Sequence, residues 1–323
     1  MASKAYNVEI SLLNSLKEHE VKTAVEDTCS ILALRHGLGM VEGVDPRKTA
    51  DDFLKYSVKQ LVDVDPDIIS SAEKIVQTKY YFPEYVQNLE RIERTEDGGI
   101  RITVNKTPYG SIPIMSELLK RFSLKKMEPV LEQVRPIGTR AVLVNESESI
   151  LYLARRANVS YSGNLDTFPA GTASEEENDV WGTLRNEAKE EAGMELCEND
   201  DNVSLIGICR SESESMTPAF DFKIKTELSL EQVVENWSRA SHRMEHDKIY
   251  EIPFDEGKFE GEIEKRITAK EESVLGVTLG ALINVGHDVF GRRWSKHVIE
   301  TLMERHPNKV NVVEHPLFDL LRH

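Results

Sequence analysis

Apolar and polar positions are patterned most clearly in the middle of the chain. Thr139-Arg-Ala-Val-Leu-Val144 and Ile150-Leu-Tyr-Leu-Ala-Arg-Arg156 are β-rich runs on either side of polar Glu146-Ser-Glu-Ser149, which predicts a hairpin. A loop, Tyr161 to Gly171, separates the hairpin from a helix expected to run from Asn178 or Asp179 to Ala192. Gly193 stands where a helix-capping glycine belongs. Strands are expected at Val203 to Arg210, Ala219 to Thr226 and Ile249 to Phe254, and helices over most of Ala269 to Arg305.

The first part of the chain is less regular. Leu12, Leu13, Leu16, Val21, Val25, Ile31, Leu32 and Leu34 partly follow a 3.6-residue period, so Asn7 to Leu34 reads as helical. Further helices are expected at Thr49 to Val62, Asp67 to Gln77 and Ile114 to Phe122, with a strand at Ile100 to Val104 after the Asp97-Gly-Gly99 turn. The pattern changes near Lys125 to Pro129. The chain therefore divides into an accessory domain, 1–128, whose residues carry no chemical motif, and a second domain, 129–323.

Composition narrows the function. With 323 residues, two domains fit. A formal net charge of −16 sets the surface against nucleic-acid duplexes and anionic membranes. It leaves room for a small anionic substrate held through a divalent metal. Three cysteines, Cys29, Cys197 and Cys209, have no metal-ligand spacing and make no disulfide framework, so a reduced, cytoplasmic location is expected. Cys197 and Cys209 read as core residues. The N-terminus has no signal-peptide pattern, and the apolar stretch Val274 to Val285 is too short to span a membrane.

The chemistry concentrates in the middle helix. Residues three and four apart share a helix face, so Glu187, Glu190 and Glu191 point to one side while Val180, Leu184 and Ala188 point to the other. Three carboxylates on one turn repel each other and can supply oxygens to a hard divalent ion. Taken alone, Glu-Ala-Lys-Glu-Glu-Ala is also ordinary solvated helix.

The surrounding residues resemble the Nudix box, G-x5-E-x7-R-E-U-x-E-E-x-G-U with U aliphatic. Glu187, Ala188, Glu190, Glu191, Gly193 and Met194 match its second half in register, and Phe168-Pro-Ala-Gly171 resembles the loop that leads into it. The resemblance implies an α+β architecture: a Nudix α/β/α sandwich with a mixed sheet over 129–323, preceded by the smaller mixed accessory domain. Gly171, Glu177 and Arg185 are correctly spaced among themselves but lie one residue early against the Glu187–Gly193 half, as one extra residue in the box would produce. The family arginine, which orients the first catalytic glutamate, then falls on Asn186. Arg185 is about 100° round the helix from it, and a local bulge is the way to bring it into line.

The resemblance further implies hydrolysis of a nucleoside diphosphate linked to another group, with Mg²⁺ or Mn²⁺ as cofactor. It makes Glu187, Glu190, Glu191 and the Gly171 carbonyl the metal ligands, with Glu177 behind them, and Arg185 or Asn186 the support for catalytic Glu187. The alternative is a Nudix-fold module that binds a nucleotide without turning it over. A third is an unrelated acidic scaffold in which residues 1–125 are the active part and the glutamates are solvent face. Arg243 to Phe254 resembles the family's loop and late strand that supply a further glutamate, and this resemblance makes Glu245 the first candidate for the general base, then Asp247 and Glu251, with Glu212 and Glu214 in a polar loop as a further source. Arg155 and Arg156 end a strand on opposite faces, so one is placed to meet phosphate and the other to be surface. Tyr161, Phe168 and Trp181 are candidates to stack a base or to pack in the core, and His242 with His246 have i, i+4 spacing for a metal pair but lie in a polar stretch without a clear helix. The expected partner is a nucleoside-diphosphate small molecule, with no nucleic-acid duplex and no membrane; covering the site, forming a homodimer and binding another partner are all open roles for the accessory domain.

Overall fold

The computed structural model describes residues 6–29, 64–76, 85–109, 111–174, 176–177, 179–214 and 216–315. The strands are β1 (Tyr6–Leu16), β2 (Val21–Cys29), β3 (Tyr85–Arg94), β4 (Ile100–Pro108), β5 (Gly138–Asn145), β6 (Ile150–Arg156), β7 (Leu165–Asp166), β8 (Ala170–Thr172), β9 (Val203–Ser211), β10 (Ala219–Lys225), β11 (His246–Pro253) and β12 (Val310–Glu314). The α-helices are α1 (Pro66–Val76), α2 (Ser111–Leu119), α3 (Leu124–Leu131), α4 (Val180–Ala192), α5 (Leu230–Arg239), α6 (Glu256–Thr268), α7 (Gly276–Phe290) and α8 (Arg292–Arg305).

A large mixed sheet runs in the order β11-β6-β5-β10-β9-β1-β12, with β7 on β6 and β8 on β5. The β5–β10 and β1–β12 pairs are parallel, while β5–β6, β6–β11, β9–β10 and β1–β9 are antiparallel. Strand alternation divides its side chains between two cores. Val142, Val144, Leu151 and Leu153 join Phe259, Leu282 and Val298 of α6, α7 and α8 on one face. Ala141, Leu143, Tyr152 and Ala154 join Val180 and Leu184 of α4 and Val233 of α5 on the other. The fold is therefore a mixed α/β sandwich, as expected.

The second face also receives Leu89, Ile92, Ile102 and Val104 from a three-stranded sheet of order β2-β4-β3. Helices α1, α2 and α3 form a third small core around Ile68, Met115, Leu118 and Met127.

Most expected elements are present, with one reversal. Asn7 to Leu34 is not helical over its described part; it forms β1, a short 3-10 turn (Glu18–Glu20) and β2. Tyr6, Val8 and Ile10 are buried in alternation, and β1 has hydrogen-bonded partners on both edges. Those partners decide the conformation where the leucines of a short segment fit either period. Strand β1 thus lies inside the large sheet, between β9 and β12. The helix expected at Thr49 to Val62 lies outside the described residues. The apolar stretch from Val274 is largely α7, a core helix, and among the described residues no helix is long and apolar enough to cross a membrane. Cys209 is buried as expected, whereas Cys197 is exposed.

Candidate metal site

Helix α4 is held at both ends. Asp179 accepts the Gly182 N–H at 2.7 Å as N-cap, and Gly193 closes the helix with φ 64°. Gly193 has a second constraint, since a β-carbon there would collide with the Asn236 carbonyl of α5. Val180, Leu184 and Ala188 are buried on the sheet, and Trp181 meets Phe222 edge-on at 4.8 Å between ring centres. This packing fixes the rotation of the helix, and its opposite side carries the acids.

Glu191 is only 2% exposed and accepts the Ala170 N–H at 2.8 Å. Glu187 lies directly against Gly171, where any β-carbon would overlap its carboxylate. The glycine is needed for that close approach. The Gly171 carbonyl is turned towards Gly138 of β5, 3.2 Å from where a β-carbon on that residue would stand. Glu190 is at the rim, with Oε2 3.2 Å from His242 Nδ1, and Glu245 Oε1 is 4.0 Å from the same nitrogen. Two main-chain bonds set this edge: His242 N–H to the Glu190 carbonyl and Ala157 N–H to the Glu245 carbonyl, both 2.7 Å.

Burial, followed by the charges of Glu177, Glu190 and Glu245, pushes the Glu187 carboxyl up to about 8. Burial also raises Glu191 well above the carboxylate range, and Glu187 and Glu245 add to the rise while the Ala170 N–H opposes it. These acids crowd a poorly solvated space with too little positive charge to balance them. Either protons or a cation must offset the repulsion. Among the described residues, no group of three or more His, Cys, Asp or Glu side chains is already arranged to hold a metal ion. Mg²⁺ does not require one, because it keeps several of its waters. The oxygen-only donor set suits such an ion.

The structure brings Glu187, Glu190, Glu191, Glu245 and Gly171 to this one place. It does not bring Arg185 there. Helix α4 is continuous, without the bulge that would realign Arg185, and its guanidinium instead binds Glu18 at 2.7 Å. Asn186 donates to Glu177 at 3.0 Å. Glu177 also accepts the Ser174 N–H at 3.0 Å and the Thr183 hydroxyl. The arginine position of the motif is thus taken by a neutral amide directed at the first-half glutamate.

Arg155 and Arg156 are both engaged within the chain. Arg155 grips Asp247 through two bonds of 2.7 and 3.0 Å and reaches Glu272 at 3.0 Å. Arg156 binds Asp166 at 2.8 Å and the Ser160 carbonyl at 3.0 Å. Asp247 is therefore an ion-pair partner, and Glu251 is exposed along β11. Glu212 accepts from Asn7 at 2.5 Å, and Glu214 accepts the Val277 N–H at 3.2 Å at the start of α7. His242 and His246 do not share a helix face, because a 3-10 turn and then β11 carry them. His246 is 4% exposed, packs near Phe168, and is held down to about 4 by burial. Phe168 and Trp181 are core residues, and Tyr161 is partly exposed with its hydroxyl on the Ser213 carbonyl at 2.8 Å.

Sequence reading missed Asp166. It is buried and binds Arg156, Arg140 at 3.2 Å and the Thr278 hydroxyl at 2.6 Å, and these charges hold its carboxyl low despite burial. Its only signal was a carboxylate flanked by Leu165 and Thr167. Glu18 and Gln87 were missed as well, having no local signal.

Residues 134–264 match the family model described as NUDIX domain. No curated protein matches the sequence. Similar solved structures include a Deinococcus radiodurans protein, 14% identical, covering 60% of this chain and 95% of that one with TM-score 0.36. The NUDIX domain of Shewanella oneidensis NrtR, determined with ADP ribose, is 9% identical, with coverage of 54% and 97% and TM-score 0.33. A MutT/nudix family protein of Enterococcus faecalis is 11% identical, with coverage of 58% and 91% and TM-score 0.33.

Proposed function

Residues 134–264 form a NUDIX domain, and from that premise we propose that the chain is a divalent-metal-dependent pyrophosphohydrolase acting on a nucleoside diphosphate linked to another moiety. The observation that carries this reading is the crowding of Glu187 and Glu191 beside Glu190 and Glu245 with too little compensating positive charge. Glu187, Glu190 and Glu191 are the residues that would hold Mg²⁺ or Mn²⁺, with the Gly171 backbone alongside. A bound ion of this kind neutralises phosphate charge and lowers the pKa of a water.

The chain's own groups do the rest. Glu245, at the rim beside His242, is the candidate to accept the proton of the attacking water. The Ala170 N–H fixes the Glu191 carboxylate, so that side chain does not have to be ordered when ligand arrives. Arg156, whose charge is felt at Glu191, is itself held in place by Asp166.

A second reading is nucleotide binding without turnover. It is favoured by Asn186 in the arginine position and by the commitment of Arg185 to Glu18. Incubation with a panel of nucleoside-diphosphate conjugates and Mg²⁺ or Mn²⁺ separates the two. Hydrolysis releases a nucleoside monophosphate and stops with EDTA or Glu187→Gln. Binding of a panel member with no release at any metal concentration supports the second reading and overturns the first.

A further inference from the structure

The small N-terminal sheet is joined to the site by backbone. Strand β3 lies alongside the entry to β5 and the exit from β8. The Gln87 N–H donates to the Ala173 carbonyl at 2.8 Å, the Ile137 N–H donates to the Gln87 carbonyl at 3.0 Å, and the Leu89 N–H donates to the Arg135 carbonyl at 2.8 Å. Val86 bridges Ser174, and Asn88 bridges Pro136.

One side chain extends this ladder into the loop that follows β8. Gln87 is 3% exposed, and its amide nitrogen donates to the Glu177 carbonyl at 2.6 Å and the Ser174 carbonyl at 3.2 Å. Both acceptors belong to the segment between Gly171 and α4. Glu177 then binds Ser174, Thr183 and Asn186, and its charge is among those that raise Glu187.

We propose that Gln87 is a positioning residue for the carboxylate site, and that the N-terminal sheet is a working part of that site. The loop carrying Gly171 to Glu177 has no arginine from α4 to hold it, because the position is Asn186 and Arg185 faces Glu18. The Asn186 amide reaches the Glu177 side chain and not the main-chain carbonyls of Ser174 and Glu177. Gln87 supplies two donors from a strand that is fixed on both sides, and so sets where Gly171 and Glu177 stand against Glu187. Among the described residues its own oxygen has no partner, so the contribution seen here is through donation. The proposal rests on the metal-site reading and assigns that site a component far away in sequence.

The test uses the full-length protein. Gln87→Met and Gln87→Glu keep the length of the side chain and remove its donors. The expected result is Mn²⁺ binding weakened about tenfold, as for loss of an outer partner of a metal ligand. Faster amide exchange at 173–177, and a fall in kcat with KM little changed, should accompany it. Lys22→Ala, which breaks an exposed ion pair to Asp97 elsewhere in the small sheet, serves as control and should change none of these. Wild-type Mn²⁺ affinity and wild-type loop exchange in both variants overturn the proposal.

If both variants fail to fold, exchange in the wild type decides. Coupling is reciprocal, so Mn²⁺ must slow exchange at Gln87 and Leu89 as well as in α4, and protection confined to α4 overturns the proposal. Should the wild type bind no Mn²⁺, the metal-site reading falls, and the loop exchange of the variants still tests the tether.

Discussion

Glu187→Gln tests the electrostatics of the site through stability alone. In the unfolded chain this carboxyl titrates near 4.5, and in the fold it is pushed up to about 8 by burial and by Glu177, Glu190 and Glu245. The folded protein therefore holds the proton more tightly than the unfolded chain. The stability that goes with the protonated form is complete below pH 4.5 and is lost as pH rises through about 8. The gap between 4.5 and about 8, at 1.36 kcal/mol for each pH unit, sets an upper limit of about 5 kcal/mol. Without metal, the wild type should melt at a lower temperature at pH 9 than at pH 5, and Glu187→Gln should show a shallower fall. Glu191 and Asp221, the latter raised to about 7 mainly by burial, act in the same direction and leave a residual slope in both proteins. The measurement is thermal unfolding in EDTA between pH 5 and 9. Excess Mg²⁺ should flatten the wild-type curve most at high pH. Superimposable slopes for the two proteins would refute the idea that Glu187 sits in an uncompensated acidic cluster.

Three further outcomes follow from the geometry. Glu245→Gln should lower kcat by about 10²–10⁴-fold, the range for loss of a general base, while Mn²⁺ titration shows nearly wild-type affinity. Arg185→Ala should cost about 1–3 kcal/mol in denaturant unfolding, since it removes a charged hydrogen bond to Glu18, and should leave turnover close to wild type. Asp166→Asn takes the balancing charge from Arg140 and Arg156 in a buried network, and should destabilise the fold by about 3–5 kcal/mol in the same assay.

The sequence made the strand and helix order of residues 138–305 legible because local pattern and burial agree there. Ala141 and Leu143 face one core and Val142 and Val144 the other, as alternation demands. Gly193 marked the end of α4 because only a left-handed cap suits that position. The acidic face of α4 was legible for the same reason: helical spacing alone puts Glu187 and Glu191 together. The N-terminal part was misread because Leu12, Leu13 and Leu16 fit a helical period, and only pairing with β9 and β12 makes β1 a strand. One of Arg155 and Arg156 looked available for phosphate because their partners, Asp247 and Asp166, are brought to them only by the fold. Gln87 and Glu18 were invisible because their roles depend on contacts with residues about 90 or more positions away.

The central claim is that the carboxylates of α4 grip a divalent cation. Titration of Mn²⁺ into metal-stripped full-length protein, with free ion followed by electron paramagnetic resonance, tests it directly. Saturable binding is expected in the wild type, weakened by at least about tenfold in Glu187→Gln and in Glu191→Gln. Equal affinity in all three proteins, or no binding in the wild type, would contradict the account.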